Sequence, residues 1–183
     1  MNDFQPQQQK VLYLVMCAAP LVQDIQQFIV LAQERQWDVC AIATPQATRF
    51  IDTPLLTRLT GHPLRSDYKL PGEPDAFPKA DAIVVVPATF NTINKWALGI
   101  ADTLAVSILC EALGGNIPII AVPYLKADLA RHPAFNKSIV MLRESNIRVL
   151  YEPERYPPSN KVPWEIILDE LHLAQREHHI SSK

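Results

Sequence analysis

With 183 residues, the chain has room for one domain with a full hydrophobic core rather than two. Its 48% hydrophobic and 20% charged residues are the balance of a soluble globular protein. The formal charge of −2, with no basic patch in the sequence, argues against nucleic acid or a membrane surface as partner. The apolar runs fall well short of the ~18 residues a membrane span needs. The start, MNDFQPQQQK, lacks the apolar core of a signal peptide, so a cytoplasmic protein is expected. Residues 1–10 read as a polar arm, 11–174 as one folded domain and 175–183 as a polar tail.

Val11 to Met16 is an apolar run of strand length that breaks at Cys17-Ala18-Ala19-Pro20. Pro20 suits a helix start, and a helix is expected through about Gln36, with Ile25, Phe28, Ile29 and Ala32 at helical spacing on one face. Trp37 to Ala43 reads as the second strand. After it, Thr44 to Phe50 runs into a short helix. Thr53 to Thr60 is a further helix, closed by Gly61. Gly61 to Lys79 shows no period and carries His62, Arg65, Asp67, Tyr68, Glu73 and Asp75, a segment that serves a ligand or is simply solvated.

Ala82 to Val86 is a central strand buried on both faces, since it is apolar throughout rather than alternating. Pro87 is expected to stop it, and one helix should then run from Thr92 to about Leu113, up to Gly114-Gly115. Ile117 to Val122 is the next strand. A helix through Ser145, with Phe135, Ile139 and Leu142 inward, leads to a last strand at Ile147 to Tyr151. The segment from Glu152 to Pro163 is Pro-rich and reads as irregular. Trp164, Ile167, Leu168 and Leu171 give the closing helix a packing face, and the tail from Gln175 reads as frayed. Cys17, Cys40 and Cys110 fall in apolar stretches without metal-ligand spacing and read as buried free thiols of a reducing compartment. His178 and His179 have the chemistry to bind a metal, but no metal site is expected there.

Alternating strands and helices with continuously apolar strands define an α/β fold: a single-domain, doubly wound, Rossmann-like or flavodoxin-like parallel sheet with helices on both faces. In such folds ligands bind beyond the carboxyl ends of the strands. Four loops leave those ends: Cys17 to Pro20, Thr44 to Phe50, Pro87 to Thr92 and Pro123 to Asp128. The small-residue turn at Thr89, Asn91 and Thr92 sets free backbone N–H groups of a helix start beside an anion site, or merely caps the helix. A GxGxxG, a phosphate-loop lysine motif and a Ser-His-Asp signature are all missing from the sequence.

The stretch VVVPATFNTINKWALGIADTLA resembles the flavin-contacting signature of the homo-oligomeric flavin-containing cysteine decarboxylases. That family includes phosphopantothenoylcysteine decarboxylase and the peptidyl-cysteine decarboxylases, with the flavin prenyltransferases as more distant relatives. The likeness covers about Val11 to Leu150 and includes TPQATRF, TGHP, Lys79-Ala80-Asp81 and HPAF. It implies FMN, with its phosphate near Ala18-Ala19 and Thr44, Gln46 and Ala47, and Phe50 in the same loop. The isoalloxazine would lie along Pro87, Ala88, Thr89, Phe90, Asn91 and Thr92, with Ala101 and Asp102 behind. It further implies a homo-oligomer, a trimer or dodecamer, in which a neighbour completes the flavin site. The chemistry implied is oxidation of a cysteine thiol by the flavin, loss of CO₂ from the resulting thioaldehyde and return of the electrons, with a small thiol or carboxylate as substrate.

This chain departs from that pattern at its catalytic positions. Glu73 stands where the resemblance calls for a histidine, and an exposed carboxylate is a weak base unless burial raises its pKa. Lys126 replaces the asparagine of the family's PxMNxxMW motif, in Pro123-Tyr124-Leu125-Lys126-Ala127-Asp128-Leu129. Ala18-Ala19 replaces a Gly-Ser, and Glu152 to Pro163 contains no cysteine for a substrate clamp. Lys126 is then a point charge for a substrate carboxylate or a solvated side chain paired with Asp128. Glu73 and Lys126 are the candidate catalytic residues. Three functions follow: a flavin-dependent decarboxylase, a flavoprotein of redox or prenyl-transfer chemistry, or a flavin-binding subunit without turnover.

Overall fold

The computed structural model describes residues 9–74, 77–115, 117–157 and 160–181. Within them, β1 (Lys10–Met16), β2 (Trp37–Ala43), β3 (Ala82–Ala88), β4 (Ile119–Pro123) and β5 (Arg148–Val149) form one all-parallel sheet in the order β2-β1-β3-β4-β5. This is the flavodoxin-like doubly wound order. The arm expected at 1–10 lies outside the described residues except for Gln9 and Lys10, and Asp75 lies outside them too.

Successive strand residues face opposite sides, which divides the core in two. Leu12, Leu14, Met16, Val84 and Val86 meet α1 (Ile25–Glu34), α2 (Thr53–Thr60) and α7 (Trp164–Ser181) through Phe28, Leu56 and Ile167. Val15, Ile83, Val85 and Ala121 meet α3 (Phe90–Ala97), α4 (Leu104–Leu113) and α6 (Pro133–Glu144) through Trp96, Leu109 and Phe135. Burying each such side chain contributes about 1.5–3 kcal/mol, which fixes the register of every strand. A four-residue helix, α5 (Ala127–Ala130), follows β4. No helix among the described residues is long and apolar enough to cross a membrane.

Several expectations are corrected. Pro87 does not end the central strand, which continues to Ala88 past a register shift after Val85, with the Val86–Pro87 peptide cis. Proline lacks only the N–H; its carbonyl still accepts from Cys17 N–H at 3.1 Å. The single helix expected from Thr92 to Leu113 is two. Gly99 takes φ +68°, and the Gly99 and Ile100 amides donate to the carbonyls of Trp96 and Lys95. Those two bonds are the Schellman closure that ends α3. Thr103 then caps α4, its hydroxyl accepting from Val106 N–H at 3.4 Å.

The last helix runs to Ser181 instead of fraying at Gln175, because Ala174 still packs on the core and Arg148 reaches Glu170 and Glu177 along it. The fifth strand contracts to Arg148–Val149. In the aperiodic segment after Gly61, Arg65 bridges to Ile42 and extends the sheet beyond β2. Cys17 and Cys40 are buried, but Cys110 is only half-buried. Burial pushes the Cys40 thiol up to about 12, with the Asp38 carboxylate adding to it.

Candidate active site

The strand order reverses between β1 and β3, and the loops leaving their carboxyl ends diverge there. Ala18 after β1 and Thr89 and Asn91 after β3 line two neighbouring compartments of one cleft. The inner one, about 380 Å³, runs from Thr44, Pro45 and Gln46 after β2 to Thr92, Lys95 and Asp102 on the α3–α4 side. The outer one, about 810 Å³, runs from Ala19 and Phe90 to Tyr124, Leu125, Lys126 and Leu129 after β4.

The inner compartment stands on a fixed floor. Cys17 donates its thiol proton to Thr92 Oγ1 at 3.2 Å, and Thr92 Oγ1 lies 3.2 Å from Thr89 Oγ1. Thr92 is buried, so this hydroxyl chain satisfies polar groups that would otherwise cost free energy. Burial pushes the Cys17 thiol up, against the opposing hydrogen bonds of Thr92 and Thr89, so it is a neutral donor at physiological pH. Because Thr89 spends its hydroxyl on Thr92, it makes no side-chain cap on α3, and the first-turn amides of that eight-residue helix start beside the cavity. Uncapped amides with their helix dipole favour an anionic group.

Three contacts hold α3 in place. Trp96 Nε1 donates to Leu109 O at 2.9 Å, Ser138 Oγ to Asn94 Oδ1 at 2.7 Å, and Phe90 stacks on Phe135 at 6.3 Å. Lys95 and Asp102 pair at 2.5 Å across the Gly99 elbow on the rim of the inner compartment.

Of the residues expected at the site, Ala18, Ala19, Thr44, Gln46, Thr89, Phe90, Asn91, Thr92, Asp102 and Lys126 line the two compartments. Ala47, Pro87 and Ala88 are buried behind the lining, and Phe50 and Ala101 are exposed away from it. Glu73 is exposed on its own turn, where its carboxylate accepts from Leu70 N–H at 2.8 Å, and it lines neither compartment. Asp128 pairs with Arg131, not with Lys126. Lys95, Thr103 and Val106 are lining residues that the sequence reading did not name. Leu98-Gly99-Ile100 carried the signal, because a glycine between two apolar residues reads as a helix stop and turns the α4 start back onto the cavity.

An open parallel sheet with small residues and helix amides around a cleft at its switch point belongs to the class of nucleotide-type cofactor folds. More narrowly, the sequence signature of the Flavoprotein family matches residues 7–172, and the chain belongs to that family. It is 29% identical over 120 residues to the coenzyme A biosynthesis bifunctional protein CoaBC of Thermococcus kodakarensis, covering 62% of this chain and 29% of that one. The chain thus spans less than a third of that relative's length. It is 28% identical over 145 residues to the epidermin decarboxylase of Staphylococcus epidermidis, covering 77% of each. The solved structure of the peptidyl-cysteine decarboxylase EpiD superposes with a TM-score of 0.74 at 23% identity, over 90% of this chain and 99% of that one.

Proposed function

We propose that this protein binds FMN in the two-compartment cleft and acts as an FMN-dependent decarboxylase on a cysteine-containing or related small carboxylate. The reading is carried by Ala18, Thr89 and Asn91, which line both compartments and set one bounded by Thr44, Gln46 and Thr92 beside one bounded by Phe90, Tyr124 and Leu125. The α3 amides, Thr44 and Gln46 would hold the phosphate side, while Ala19, Phe90 and Asn91 would flank the ring. Bound flavin would supply two-electron oxidation of the substrate thiol and would return those electrons to the product once CO₂ has left. Relatives and structural neighbours described as FMN-dependent cysteine decarboxylases and epidermin decarboxylase support the same chemistry.

Lys126, exposed just before α5, is the cationic residue in the lining of the outer compartment and would hold the substrate carboxylate. Its charge stabilises the carboxylate before CO₂ leaves, so it strengthens binding at some expense of rate. Glu73 is given no step, since it is exposed on its own turn. The exposed Leu98 and Ile100 flank the elbow beside the inner compartment and would be covered in a homo-oligomer.

The test is a visible spectrum of the purified protein followed by CO₂ assays with thiol acids. A yellow protein releasing CO₂ is expected, and Lys126→Ala should raise KM about tenfold or more with FMN retained. Lys126→Asn should raise kcat while also raising KM. Failure of the protein to take up FMN removes the cofactor assignment. A flavin-loaded protein inert to thiol acids leaves a redox flavoprotein or a non-catalytic subunit, and an unchanged KM in Lys126→Ala makes that lysine a solvated one.

A further inference from the structure

Asp38 and Cys40, two apart on β2, point to the same face, and the turn after α2 brings His62 onto them. One ligand atom from each of the three lies within 4.8 Å of the others. We propose that Asp38, Cys40 and His62 form a site for a zinc-class divalent cation that fastens the connection after Gly61 to the sheet edge.

Thiol, imidazole and carboxylate together are the donor set of zinc, whose tetrahedral bonds of about 2.0–2.3 Å leave its ligands about 3.3–3.6 Å apart. The imidazole is already oriented. Its ring meets Phe77 edge-on at 5.9 Å, and its Nε2 is hydrogen-bonded to Asp38 Oδ1 at 2.7 Å, a pair that must part to about 3.3 Å for both to hold one cation. Gly61 in the left-handed region turns the chain there, and Arg65 pairs through its backbone with Ala41 and Ala43. His62 and Asp38 side chains are 24% and 28% exposed, so a cation can enter from solvent and keep water as its fourth ligand. On binding, the Cys40 Sγ–metal bond forms and the thiol proton leaves to solvent. Cys40 lies ~13 Å along β2 from Thr44, four residues at ~3.3 Å each, so the site is separate from the cleft.

The experiment is Zn²⁺ uptake by chelator-stripped, untagged full-length protein, read by competition with a chromophoric chelator and by thermal melting. The wild type should take up one Zn²⁺ per chain and melt at a higher temperature with it. Cys40→Ser, His62→Ala and Asp38→Asn should each weaken uptake at least tenfold, and His178→Ala/His179→Ala should leave it intact. Circular dichroism checks that the variants fold, but the wild-type stoichiometry decides the matter alone. Absence of stoichiometric uptake by the wild type, undiminished uptake by both Cys40→Ser and His62→Ala, or loss in the His178/His179 variant overturns the site.

Discussion

The two compartments of the cleft differ in how they are built. The inner one rests on ends of core strands, a buried Cys17–Thr92–Thr89 chain and a glycine-closed elbow. The outer one is walled by Tyr124 to Leu129, anchored by buried Leu125 and by Tyr124 N–H donating to Ala88 O at 2.9 Å, with Lys126, Asp128 and Leu129 exposed between. A wall made of strand ends and a buried hydroxyl chain tolerates little change, whereas exposed loop residues such as Lys126 can change without disturbing the core. Departures from the family pattern can therefore accumulate at Lys126 without disturbing the cofactor end.

Breaking the inner side should cost most. Trp96→Ala removes a fully buried indole and its hydrogen bond to Leu109 O, and about 3–5 kcal/mol of stability should disappear in a denaturant titration. Asn91→Asp places a negative charge in the space both compartments share. FMN affinity should fall at least tenfold in a fluorescence-quenching titration, with the fold intact by circular dichroism.

The Cys17 thiol sharpens the contrast by pH. Its folded pKa is raised above the ordinary 9.0, so the folded and unfolded thiols are both protonated below that pH, where its contribution is fully present and does not change with pH. Above pH 9 the unfolded thiol ionises first, and its contribution to stability should fall by about 1.4 kcal/mol per pH unit. Cys17→Ala should make that alkaline limb shallower by one thiol's share, the rest staying with Cys40 and Cys110, in melts taken from pH 8 to 10. The smallest effect belongs to Lys95→Met, which breaks a half-exposed pair on the rim: under about 1 kcal/mol of stability, with the elbow held by its backbone bonds.

Much of the fold was legible before any coordinates. Strand positions followed from unbroken apolar runs, and helix faces from the spacing of residues such as Phe28 and Ile29, since burial dictates both patterns. Gly61 as the stop of α2 was equally plain, because a left-handed cap favours glycine. Gly99 has the same conformation but sat inside an apolar period, so the elbow and the lining residues Lys95 and Thr103 went unnamed.

By itself, then, the sequence determined the parallel α/β class, the strands, and the loops at which a ligand should bind, because these are local consequences of hydrophobic period and turn chemistry. Only tertiary structure decided that Glu73 stays on an exposed turn while Lys126 reaches the cleft, and that Asp38, Cys40 and His62 converge across 24 residues of chain. Those are relations between segments distant along the chain, and packing alone sets them.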